Sequence, residues 1–280
     1  MAQILYLPHG GGPLPLLKDP GHQALTDFLT RIPERLATPE AILVISAHWE
    51  APRVTVTTAA QPDLLFDYYG FPEAAYQLRY PAPGEPALAA EILQRLKQAG
   101  IEADGDHQRG FDHGLFVPLL LMYPDANVPC VQLSLHQDLD PQAHLALGEA
   151  LAPLRQRNLL VIGSGLSFHN MALLRQGGGG RGGDGGDGDG KHDADIADFH
   201  RWLIETCAGN LDHDQQRQRL LNWQQAPAAR LCHPREEHLL PLHVCWGMAG
   251  GDNAAEVVFN DRILGHQAVG LMWSGQSGHA

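Results

Sequence analysis

Sixteen histidines occur in this 280-residue chain, and three of them follow directly on runs of strand-forming residues: His9 ends ILYLPH, His48 ends AILVISAH, and His169 lies in LLVIGSGLSFH. Imidazole moves protons near neutrality and, when neutral, binds metal ions. In open α/β sheets, ligands collect beyond the carboxyl ends of the strands, where the turns present side chains to a common point. The three histidines are therefore candidates for one site. Taken singly, each also fits a hydrogen-bonded residue that merely closes a strand. A fourth candidate, His238, lies in CHPREEHLLPLHVCWGMAG. That segment reads as a helix over 235–249, with Pro234 in its first turn and Glu236 and Glu237 complementing the positive end of the dipole. Pro241 is expected to kink it. His238, Pro241, Leu242 and Cys245 then share the inward face, and both glutamates point elsewhere. A buried face on which His238 is only packed is the alternative.

Other motifs fail on inspection. Gly10-Gly11-Gly12 follows a strand, but Pro15 stands where the last glycine of a dinucleotide fingerprint belongs. Gly163-Ser164-Gly165 is too short for a nucleophile elbow, and no HExxH helix is present. What remains is a histidine-rich site capable of acid and base work, without a covalent nucleophile.

The elements that must position these residues alternate in type. Aliphatic or β-branched runs at 4–7, 41–47, 54–58, 128–135 and 159–163 read as strands. Stretches with apolar residues at three-to-four spacing at 21–36, 85–99, 141–157, 193–208 and 235–249 read as helices. This predicts an α/β fold: one domain spanning 1–280, with a central, mostly buried sheet flanked by helices and the active site at the carboxyl ends of the strands. The segment 177–190, GGGGRGGDGGDGDG, has ten glycines in fourteen positions and is expected to be a flexible insertion.

Composition narrows the partners. A net charge of -13 with 19 Lys+Arg argues against nucleic acid. No run of about 18 apolar residues suggests a membrane span. Cys130, Cys207, Cys232 and Cys245 form no CxxC pair, and the N-terminal segment lacks a leader pattern, which points to reduced thiols and a cytoplasmic protein.

The segments LPHGGGPLPLL, ILVISAHWE, FDYYGFPEAAYQLRYPAPG, GFDHGLFVPLLLMYPDANVPCVQLSL, GSGLSFHN and HPREEHLLPLHVCWGMAG, in this order, resemble the class III extradiol ring-cleaving dioxygenases, in particular the DOPA 4,5-dioxygenase-like branch. The resemblance spans most of the chain. It departs from the family at HGGGP, where many relatives have HGSP, and at the glycine-rich insertion.

The resemblance implies metal ligation by His9, His48 and His238, a general base at His169, and a further active-site histidine at His113. It also suggests Tyr68, Tyr69, Phe71 and Trp49 as residues beside the substrate ring. The implied cofactor is Fe(II), although an all-nitrogen shell also suits Zn(II). The implied reaction inserts both atoms of O2 into a small aromatic diol and yields a ring-opened semialdehyde. A zinc-dependent hydrolase and a non-enzymatic relative of the Memo type are the alternatives.

Overall fold

The computed structural model describes residues 1–177, 191–250 and 254–274. The strands are β1 Gln3–Pro8, β2 Ala41–Ala51, β3 Val54–Thr57, β4 Ala103–Asp106, β5 Cys130–His136, β6 Leu159–Gly165, β7 Glu256–Ile263 and β8 His266–Ser274. They form one sheet in the order β4-β3-β5-β2-β6-β1-β8-β7. The middle, β5-β2-β6-β1, is parallel, and β8 and β7 extend it antiparallel beyond β1.

Alternation along the parallel strands feeds two cores. Ile42, Val44, Leu160, Ile162, Leu5 and Leu7 face one side; Leu43, Ile45, Val161, Ile4 and Tyr6 face the other. Side chains one residue apart on a strand point to opposite faces, so a strand buried on both faces reads as a continuous aliphatic run. The second side is covered by α2 Pro86–Gln98, α4 Pro141–Leu151, α6 Asp193–Ala208 and α9 Leu240–Ala249. The first is covered by α1 Gln23–Arg31 and α3 His113–Met122. The shorter helices α5 Met171–Gly177, α7 His213–Leu221 and α8 Ala229–Cys232 complete the chain order.

Prolines trim two expected helices. The 21–36 stretch is helical only over α1 and tightens to a 3-10 turn at Ile32–Arg35, with Pro33 inside it; the 141–157 stretch does the same at Ala152–Gln156 around Pro153. The 235–249 reading needs correction. Helix α9 begins at Leu240, so Pro241 opens it rather than kinking it. At a first-turn position proline loses no helical hydrogen bond and its fixed φ suits the helix. His238 thus lies in the turn before the helix, not on its face.

Strands β4, β7 and β8 and helices α3, α5, α7 and α8 lie outside the runs that the sequence pattern marks. The expected insertion at 177–190 lies outside the described residues, apart from the backbone of Gly177 at the end of α5.

Candidate active site

All five candidate histidines reach one cavity at the carboxyl end of the parallel strands. His9 follows β1; its N–H donates to Gly165 O at 3.2 Å, and Gly10, at φ +85, turns the chain away after it. His48 lies within β2 where pairing to β5 is irregular between Ile45 and Glu50, and its N–H is held by Ser46 Oγ at 3.1 Å. A bulge of this kind re-aims a side chain. His113 opens α3 behind the N-cap Asp112, whose carboxylate accepts from Gly114 N–H at 3.0 Å and from Ser46 Oγ at 2.8 Å. His169 follows β6, and its N–H donates to Cys232 O at 2.9 Å.

His238 is anchored through its carbonyl, which accepts from Leu166 N–H at 3.1 Å and from Tyr6 Oη at 2.9 Å. Gly165 makes this approach possible: a Cβ there would lie 2.2 Å from that same oxygen.

The ring nitrogens converge. Nε2 of His48 lies 3.2 Å from Nε2 of His9 and 3.3 Å from Nε2 of His238. Burial first, and the neighbouring histidines second, hold all three rings well below the usual imidazole range, so they are neutral near pH 7. Nδ1 of His238 bonds the Glu237 carboxylate at 2.9 Å and therefore carries the proton, which leaves its Nε2 as a bare lone pair. Lone pairs turned toward one another repel unless a cation lies between them. Imidazole nitrogens about 3.2 Å apart also have the spacing expected of two ligands on one ion at bond lengths of about 2.1 Å. The donor set thus fits a divalent ion. Ligand atoms of His9, His48 and His113 form one candidate metal group, and those of His169, Glu237 and His238 another. The two meet at the His48–His238 contact.

Two carboxylates organise the rings. Glu237 Oε1 accepts from His238 Nδ1 and also lies 3.1 Å from His169 Nδ1, and these two rings stack with centroids 3.4 Å apart. Asp67 Oδ1 accepts from His113 Nδ1 at 2.8 Å and from His113 N–H at 3.1 Å, while Oδ2 lies 3.7 Å from His48 Nδ1. Burial alone raises the pKa of each carboxylate, but the histidine hydrogen bonds outweigh it and both stay ionised below the usual range. The expectation that Glu237 points away from the site is thereby corrected. Neither carboxylate was singled out from sequence, although Glu237 adjoins a candidate ligand and Asp67 adjoins a pocket tyrosine.

Of the aromatic candidates, Tyr68, Tyr69 and Phe71 line the cavity. Tyr68 is fixed through its hydroxyl, which donates to Ala75 O at 2.5 Å. Trp49 does not line it. Its neighbour His48 faces the site, but its own ring is buried beneath the Arg109 guanidinium, 4.5 Å from the ring centre.

Comparisons with known proteins agree with one another. A family model described as the catalytic LigB subunit of aromatic ring-opening dioxygenase matches residues 4–272. Dioxygenase tasH of Hapsidospora irregularis is 38% identical, covering 98% of this chain and 86% of its own. The 4,5-DOPA dioxygenase extradiol of Beta vulgaris is 40% identical over 79% of this chain and 78% of its own. Among solved structures, an uncharacterized protein of Escherichia coli K12 superposes with a TM-score of 0.75 at 27% identity, covering 97% of this chain and 99% of that one.

Proposed function

The chain belongs to the LigB family of aromatic ring-opening dioxygenases, and from that premise we propose that it performs extradiol cleavage of a catechol with a divalent ion held by Nε2 of His9, His48 and His238. The observation that carries this reading is the facing of three neutral Nε2 atoms at 3.2 and 3.3 Å on the floor of a cavity. Fe(II) bound there supplies positive charge that acidifies the catechol hydroxyls, together with the one-electron chemistry that engages O2.

The protein's own groups do the rest. His169 donates through Nδ1 to Glu237, which fixes its tautomer and leaves Nε2 free to take a proton from the substrate hydroxyl. His113 donates through Nδ1 to Asp67 in the same way, so its Nε2 can act as a proton donor only after it has itself taken up a proton during the reaction. Both atoms of O2 enter the product and no external reductant is required. The reactants are a small aromatic diol and O2.

No helix among the described residues is long and apolar enough to cross a membrane. The four free, buried cysteines support a place in the reducing cytoplasm.

Anaerobic reconstitution with Fe(II), followed by oxygen uptake on catechol addition and absorbance of the ring-opened semialdehyde, tests the reading. Zinc-dependent hydrolysis without oxygen uptake would replace it with the hydrolase alternative; neither that nor a Memo-like non-enzymatic role is favoured by the family match.

A further inference from the structure

We propose that this site is built for a catechol carrying an extended, uncharged apolar substituent, an inference that rests on the ring-cleavage reading above. The cavity measures about 710 Å³, within the roughly 300–1,000 Å³ of sites that enclose drug-sized ligands. A bare catechol leaves most of it unfilled. Its closed end is the histidine cluster, where His9, His113 and His238 are buried. Its open end lies between Tyr69, 88% exposed, and Met171, 46% exposed. Only four large hydrophobic side chains are exposed among the described residues, and these are two of them. Exposed apolar groups gathered at one mouth mark a binding surface.

The wall between the two ends is apolar. Leu14 and Leu264 both approach Gly11, each placed to touch a methyl group at that position at 3.4 Å. The Phe71 ring abuts Gly12, and Leu166, Leu174 and Ile263 add further aliphatic surface.

The two carboxylates in the lining offer little to a cationic substituent. Asp67 is engaged by His113 and Asp19 by His22 at 2.7 Å. Arg175, the one Lys or Arg in the lining, lies exposed on α5. The chain's net charge of -13 also opposes the approach of anions. A neutral alkyl or aryl arm, seated with its diol on the histidines and running out past Leu14 and Leu264 to the rim, fits all of these features.

The test is oxygen uptake by the Fe(II)-loaded enzyme with catechol, 4-propylcatechol, 4-hexylcatechol and 3-(3,4-dihydroxyphenyl)propionate. Each methylene moved from water onto this wall should raise kcat/KM about two- to fourfold, so the hexyl compound should exceed catechol at least tenfold, and the propyl compound should exceed its carboxylated counterpart. The pair Met171→Ser and Leu264→Asn should reduce the hexyl-to-catechol ratio severalfold; asparagine is chosen because residue 264 has φ 51, which it tolerates. Calorimetric binding of 4-hexylphenol against phenol to zinc-loaded protein gives a readout without turnover and should favour the hexyl compound.

Uptake with every catechol but a flat series, a preference for the carboxylated member, or an unchanged ratio in the folded double variant overturns the substituent proposal and leaves ring cleavage standing. Absence of uptake with any catechol overturns ring cleavage, and this proposal with it.

Discussion

Two sets of buried or half-buried histidines are set apart in this fold by what answers their ring nitrogens. In the first set, His9, His48, His113, His169 and His238 face one another and two carboxylates. In the second, backbone and hydroxyl groups do the answering. His144 bonds Asp140 O at 2.7 Å and His136 N–H at 3.2 Å; His200 bonds Ile196 O and Ser167 Oγ, both at 2.9 Å; His233 donates to Ser167 O at 2.9 Å. Burial depresses His9, His48 and His238 in the first set and also the second set, taking His144 and His200 down to about 4 and His233 to about 3. Low basicity therefore does not separate function from structure. The partner does: a neutral ring satisfied by backbone ties two segments together, whereas His9, His48 and His238 turn ring nitrogens toward one another at the spacing of ligands on one ion.

The largest effect that can break this distinction is loss of the ion. His9→Ala, His48→Ala or His238→Ala should each abolish stoichiometric metal binding and ring cleavage while leaving circular dichroism near that of the wild type, since each removes one of the three proposed ligands at a solvent-facing cavity. Metal analysis of the purified variants decides it. A variant that keeps one tightly bound ion per chain moves its histidine into the second set.

A smaller loss is expected from His169→Ala, which should retain the ion and lose about 10²- to 10⁴-fold in turnover, the usual size of a general-base contribution. Part of the rate should return at higher pH, where the substrate hydroxyl ionises unaided. Wild-type turnover with an unchanged pH profile would remove His169 from the reaction and leave it as a partner of Glu237.

How far sequence reaches can be seen residue by residue. His9, His48 and His169 are legible because each stands beyond an aliphatic run, and strand ends in a parallel sheet converge. His238 is legible as a candidate, but its setting is not, because Pro241 is equally at home opening a helix and kinking one. Asp67 escapes notice, and Glu237 is assigned to the helix dipole, because their partners His113 and His169 are 46 and 68 residues away and only the fold brings them together. Helix α3, HGLFVPLLLM, is apolar on every side and has no face for periodicity to find. The β7–β8 hairpin carried only a weak signal: Leu264 and Gly265, at φ 51 and 85, form a two-residue turn, but Asp261, Arg262, His266 and Gln267 around it hide the apolar stretches of the two strands.

The finest test of the comparison is acid stability, where the second set should act alone once a single ring is isolated. His200 is fully buried, with a folded-state pKa of about 4 against an unfolded value near 6.5. Between those two pH values the unfolded chain binds the extra proton, so stability rises with pH and is lost as pH falls through this window. The slope from this one group cannot exceed about 1.4 kcal/mol per pH unit, and its total over the window is about 3 kcal/mol. His200→Asn keeps a donor for Ile196 O but does not titrate. At pH 7 it should cost about 1 kcal/mol, because Ser167 Oγ loses its ring partner. On acidification the wild type should lose its advantage and the two denaturation midpoints should converge, then cross, before pH 4. Urea titrations at pH 7, 6, 5 and 4.5 measure this directly. A wild-type advantage that stays constant across the series would show that His200 carries no proton linkage, and the separation of a structural from a catalytic set would then have to rest on geometry without the thermodynamics.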